Sequence, residues 1–109
     1  MKKDSLILAA SSAYNKMYYF NEKFNKLPDQ VKDELQIICV LFTEDVGGIL
    51  FIEFEEDGSL VFKTYSDEGD SNYDEIGSAL KVKEILEKEK ELLNSIEVFY
   101  KVFFLSKEE

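Results

Sequence analysis

Ile49-Leu50-Phe51-Ile52-Glu53-Phe54-Glu55-Glu56-Asp57-Gly58-Ser59-Leu60-Val61-Phe62-Lys63-Thr64-Tyr65 reads as two strands around a turn, because β-branched and aromatic residues flank an acidic stretch ending in glycine. The register follows from burial. With residues 56–58 as the loop, Phe54 faces Leu60, Ile52 faces Phe62 and Leu50 faces Thr64, so most of the large apolar side chains share one side. A two-residue loop at Asp57-Gly58 would set Ile52 against Lys63 and Glu53 against Phe62. A one-residue slip exchanges core and solvent positions, so the three-residue loop is selected. Phe51, Val61 and Tyr65 are left on the opposite side, beside Glu53 and Lys63, and that side is expected to be partly covered.

Upstream, Leu27-Pro28-Asp29-Gln30 has the chemistry of a helix start, since proline lacks only an amide that would go unpaired there and Asp29 suits the positive end of the dipole. Val31, Leu35, Ile38 and Phe42 then recur at helical spacing, with Lys32, Asp33 and Gln36 facing away. Gly47-Gly48 ends the helix. Before it, the apolar stretch Ser5 to Ser11 and the aromatic stretch Met17 to Phe20, separated by Ala13-Tyr14-Asn15-Lys16, predict another hairpin; Ala9, Ala10 and Ala13 favour a helix there as the competing reading. Phe24 and Leu27 are expected to anchor the connection on the core.

Downstream, residues 66–73 are polar, and Asn72 with Glu75 has capping-box spacing, which starts a second helix near Tyr73. Ile76, Leu80, Ile85, Leu92, Ile96, Phe99 and Phe103 trace one face, widened by Val82, Leu86, Leu93 and Tyr100. Such a helix is longer than a small domain needs, so either it breaks, near Gly77 or Asn94, or one end packs on another chain. The expected fold class is α+β, ordered β-β-α-β-β-α, with a four-stranded antiparallel sheet and two helices on one face. Residues 1–109 form a single domain with no linker.

The 109 residues include 23 acidic and 13 basic side chains and no histidine, a net charge of −10. That balance repels phosphate, which argues against nucleic acid, and suits either a solvated surface or a basic protein partner. One cysteine, Cys39, lies in an apolar run, where a thiol packs as core and stays protonated. No stretch approaches a membrane span or a convincing signal peptide, so the chain is read as cytoplasmic, with no membrane partner.

Without histidine, the usual Ser/His and Cys/His pairs are missing, and phosphate-loop and dinucleotide glycine patterns are missing too. The remaining candidates are carboxylates and tyrosines. Glu44 and Asp45 end the first helix and Asp74 and Glu75 begin the second; hard oxygen ligands of this kind suit Mg²⁺ or Ca²⁺ if the pairs converge. The alternative is that they serve helix ends and solvent. Tyr14 and Tyr19 belong to an aromatic cluster with Tyr18 and Phe20, and each combines apolar area with a polar tip suited to a binding surface. No cofactor is implied.

Tyr14-Asn15-Lys16-Met17-Tyr18-Tyr19-Phe20-Asn21, Leu41-Phe42-Thr43-Glu44-Asp45-Val46-Gly47-Gly48 and Tyr73-Asp74-Glu75-Ile76-Gly77-Ser78 carry a resemblance over nearly the whole chain. It resembles an uncharacterised family of short proteins from Clostridia and related bacteria, a domain of unknown function. The resemblance implies a bacterial, cytosolic setting and transfers no catalytic residue. Two readings of function remain. One is a non-enzymatic interaction or regulatory module, homodimeric or bound to a basic protein through an acidic surface. The other is a small enzyme or divalent-metal or ligand binder built on the clustered carboxylates.

Overall fold

The hairpin register argued from burial is the one present in the computed structural model, which describes residues 6–105. Ser5, expected to open the first strand, lies outside the described residues. Strands β1 (Leu6–Ser12), β2 (Met17–Phe20), β3 (Ile49–Phe54) and β4 (Leu60–Tyr65) form one antiparallel sheet in the order β2-β1-β3-β4. In the second hairpin Leu50 faces Thr64, Ile52 faces Phe62 and Phe54 faces Leu60. Glu55 and Ser59 close the loop through a 2.8 Å amide-to-carbonyl bond, and Gly58 takes φ +93°, which a residue with a Cβ resists.

The helix that follows β2, α1 (Asp29–Val46), crosses the sheet and delivers β3 beside β1. Pro28 occupies the cap position, one residue before the helix. Its inward face is Leu35, Cys39, Phe42, Thr43 and Val46, whereas Ile38 is half-buried and Ile37 and Leu41 are exposed. The helix is therefore less deeply buried than its apolar last turns predict. It ends at Gly47-Gly48, where Gly48 has φ +71° and an added Cβ would lie 2.5 Å from the Tyr65 carbonyl oxygen and 2.8 Å from the Tyr73 ring.

The long second helix is two helices, α2 (Glu75–Lys88) and α3 (Lys90–Tyr100), continued by a π-helical turn over Lys101–Leu105. The break falls at Glu89, with φ −105° and ψ 27°, not at Gly77 or Asn94. The cap also differs from expectation. Asp74, not Asn72, accepts the Gly77 amide at 2.8 Å, while the Asn72 amide donates to Asp70. The apolar stripe holds in α3, where Leu93, Ile96 and Tyr100 are buried. In α2 it holds at Val82 and Ile85, which pack against the core, but not in the first two turns: Ile76 and Leu80 are exposed, and the inward position there is Ser78, whose hydroxyl accepts a bond from the Tyr73 hydroxyl at 2.9 Å. Phe103 is exposed as well.

One core lies between the sheet and the helices, and Leu8, Ala9, Phe24, Leu27, Leu50, Ile52, Phe54 and Leu60 contribute to it. Phe54 stacks on Tyr100 at 4.1 Å and tilts against Phe24 at 5.2 Å, while Phe104 stacks on Tyr100 at 5.1 Å. Offset aromatic pairs of this kind add about 0.5–1.5 kcal/mol beyond area burial. On the other side of the sheet Phe51 and Val61 are half-buried and Tyr19 and Tyr65 exposed, with Lys63 paired to the buried Glu53 at 3.1 Å.

The ladder phase determines which backbone groups the sheet leaves over. In an antiparallel pair, successive residues alternately bond across the pair and point away from it. The Ala13 amide donates to the Gly48 carbonyl at 2.9 Å and the Asn21 amide to the Leu8 carbonyl at 3.0 Å. With the β1–β2 register, Met17 and Tyr19 then bond to β1, and Tyr18 and Phe20 direct their amides and carbonyls outward from the β2 edge. By the same alternation Leu60, Phe62 and Thr64 point outward from β4.

Candidate functional site

Beneath the overhang of α1, at the β2 side of the sheet, lies a cleft of about 780 Å³. Its strand wall is Ser11, Ser12, Met17 and Tyr18, and its helix wall is Gln36, Val40, Thr43, Glu44, Asp45 and Val46, with Lys16 and Asn72 also lining it. The size is that of a pocket for a small molecule or a few peptide side chains, about 300–1,000 Å³.

Hydroxyl groups meet at its inner end for a sequence reason: Ser11 and Tyr18 are cross-strand partners on the helix-facing side. Ser11 Oγ donates to the Cys39 carbonyl at 2.7 Å, and Thr43 Oγ1 lies 3.3 Å from Ser11 Oγ and from the Cys39 and Val40 carbonyls. The Tyr18 hydroxyl is buried and has no hydrogen-bond partner among the described residues. A buried donor left unmade costs about 1–3 kcal/mol, so such groups mark places where something else binds or where stability has been forgone. Burial raises the Tyr18 phenol, with the neighbouring Cys39 adding to the effect, and burial pushes the Cys39 thiol up to about 12. At neutral pH Cys39 is a protonated core thiol and not a nucleophile.

The residues singled out by sequence are distributed over the molecule. Glu44 and Asp45 line the cleft, and Asp45 is paired with Lys81 at 2.7 Å, which raises the lysine's pKa chiefly through that hydrogen bond. The two acidic pairs come near each other along the backbone, since the Asp74 amide donates to the Val46 carbonyl at 3.0 Å. Their side chains diverge: Asp74 caps α2 and Glu75 lines a groove on the β4 side. Among the described residues no three acidic, cysteine or histidine side chains are grouped to hold a metal ion. Tyr14 pins the loop after β4, its hydroxyl donating to Asp70 and accepting the Asp67 amide at 2.8 Å. Tyr19 stands exposed on the open side of the sheet. The sequence reading named Tyr18 only as a member of the aromatic cluster and set Gln36 facing away; the signal for both is position, since an edge strand beside a helix flank makes a groove.

A second surface lies on the outside of the helix layer. α1 and α2 run antiparallel, joined by the Asp74–Val46 bond at one end and the Lys81–Asp45 pair farther along. Ile37 (56% exposed) and Leu41 (54%) sit i, i+4 on α1, and Ile76 (76%) and Leu80 (63%) sit i, i+4 on α2. Helical geometry turns both pairs away from the sheet, because Leu35, Cys39 and Phe42 on one helix and Ser78 on the other occupy the inward positions. Glu34, Glu44, Glu84 and Glu87 lie on the same helices. No described helix is long and apolar enough to cross a membrane.

No curated protein and no solved structure matches the chain. A family model matches residues 5–109, so the chain belongs to DUF6145, a family of unknown function.

Proposed function

We propose that the protein is a non-enzymatic interaction module whose acidic helix layer binds a basic protein partner. The observation that carries this reading is the strip Ile37, Leu41, Ile76 and Leu80, exposed on the two helices that also bear Glu34, Glu44, Glu84 and Glu87. Covering an aliphatic side chain fully is worth about 1.5–3 kcal/mol, and four of them together supply the centre of an interface. The surrounding carboxylates, in a chain of net charge −10, steer a basic partner toward it and repel acidic ones. The missing histidine, the protonated thiol and the engagement of Asp45 and Asp74 in structural bonds argue against acid–base or nucleophilic chemistry. A lone protonated thiol suits a reducing cytoplasm.

Self-association through this acidic layer would bring like charges together. A homodimer is better served by the open side of the sheet, where Glu53 is already neutralised by Lys63 and the Phe51 and Tyr65 rings meet edge-on at 5.6 Å.

The test uses a synthetic amphipathic helix with leucines on one side and lysines on the other. Its affinity should fall steeply with added salt and drop about tenfold or more in the Leu41→Asp, Leu80→Asp double variant. Affinity unaffected by both changes removes the reading. A melting temperature raised by Mg²⁺ or Ca²⁺ alone would favour the carboxylate metal-binding alternative.

A further inference from the structure

The outward backbone groups of Tyr18 adjoin the cleft under the flank of α1, those of Phe20 continue the same strand edge beyond it, and the Tyr18 hydroxyl beside it is buried and unpartnered. From this conjunction we propose that the β2 edge is the docking site for an extended, basic polypeptide segment that joins the sheet as a fifth strand. Two residues two positions apart, each with a free amide and a free carbonyl, form the repeat that one edge of an extended chain satisfies. No described residue satisfies any of the four groups. At the opposite edge one outward amide is taken, Glu97 Oε2 accepting that of Leu60 at 2.8 Å, while Phe62 and Thr64 line a groove in which the Tyr73 and Ser78 hydroxyls bond to each other.

The cleft gives such a strand its specificity. Side chains of an added strand alternate between the two sides of the sheet. Those on the helix-facing side would enter the space between Tyr18 and the Gln36, Val40 and Thr43 flank, packing against the Tyr18 ring and reaching its buried hydroxyl only if the ring turns outward. The chain's net charge of −10 favours a basic segment. At the edge itself the charges are mixed: Asp45 is held by Lys81, Glu44 has no ion pair among the described residues, Lys16 stands at the turn before β2, and Lys32 lies 6.0 Å over the Phe20 ring. The proposal rests on the interaction-module reading but uses a surface separate from the Ile37–Leu80 strip.

The experiment takes the full isotope-labelled chain and a synthetic peptide of about eight residues, long enough to span the edge at roughly 3.3 Å per residue, alternating valine and lysine. Saturating peptide should slow hydrogen exchange at the Tyr18 and Phe20 amides by about tenfold or more. The Leu41 and Leu80 methyl signals should stay in place. The same peptide N-methylated at alternate residues should not bind, and Val40→Lys, which fills the groove with a like charge, should weaken binding about tenfold. Unchanged exchange at both amides, or equal binding by the N-methylated peptide, overturns the proposal. Equal binding by a valine–glutamate peptide overturns its charge component. Shifts confined to Leu41 and Leu80 overturn the edge site while leaving the helix-layer reading standing; edge protection with a silent helix layer supports the edge site, and the helix-layer reading is then decided by its own leucine–lysine helix test.

Discussion

At the β4 edge of the sheet the first outward amide, that of Leu60, meets the Glu97 carboxylate, and Phe54 next to it is stacked on Tyr100. At the β2 edge the outward groups of Tyr18 and Phe20 meet no described residue, and the ring of Tyr18 ends in a hydroxyl with nothing to bond. Both edges end a hairpin, yet one has its first outward amide taken by the last helix and the other has none taken among the described residues. Unpaired strand edges recruit other chains, and proteins commonly blunt them by brevity, charge or cover. β4, six residues long, receives cover at its first residue; β2, four residues long, is short and has a helix beside it. The difference teaches that pairing geometry alone does not distinguish a structural edge from an interactive one. What distinguishes them is whether later elements supply acceptors.

If the β4 side is the structural one, the largest loss comes from its aromatic stack. Phe54→Ala should cost about 3–5 kcal/mol in chemical denaturation, and a loss below about 1 kcal/mol would break the contrast. Glu97→Ala leaves the Leu60 amide without its acceptor and should cost about 1–3 kcal/mol, with Glu97→Gln recovering part because an acceptor oxygen remains. An unchanged stability in Glu97→Ala would mean that solvent satisfies the edge equally well.

The effect that is smallest at neutral pH lies on the β2 side and grows only with alkali. Burial raises the Cys39 thiol from 9.0 to about 12 in the folded chain, so folding favours the protonated form. Its contribution is complete below pH 9 and is lost as pH climbs toward 12, at up to about 1.4 kcal/mol per pH unit. Cys39→Ala should flatten the alkaline limb of a stability-against-pH curve, leaving the slope that the raised Tyr18 phenol adds. A limb identical to that of the parent would show that the thiol titrates as it does in the unfolded chain.

The sequence was most legible where two physical demands agreed. At residues 49–65, alternation and turn chemistry required one register, and Gly47-Gly48 combined a helix stop with close packing on Tyr65 and Tyr73. The four-stranded α+β architecture followed from those anchors. Legibility failed where the deciding residue is not apolar. Ser78 is inward in α2 because a small side chain admits Tyr73, so periodicity counted on Ile76 and Leu80 pointed to the wrong side. Asp74 displaced Asn72 as the cap because its carboxylate reaches the Gly77 amide, and the break at Glu89 carries no glycine or proline to announce it. The cleft was invisible for a different reason. It depends on β1 pairing with both β2 and β3, an order that no local pattern encodes. Glu44 and Asp45 were nonetheless picked out, and both line it.

Glu97 stands 37 residues beyond the strand whose amide it receives. During synthesis β4 leaves the ribosome well before its cover exists, so a nascent chain halted within α2 would display an unsheltered ribbon to its neighbours. The last third of the polypeptide thus supplies the acceptor that completes an edge formed by the middle third. Premature termination in this region should be felt first as insolubility of the fragment, ahead of any defect in recognition.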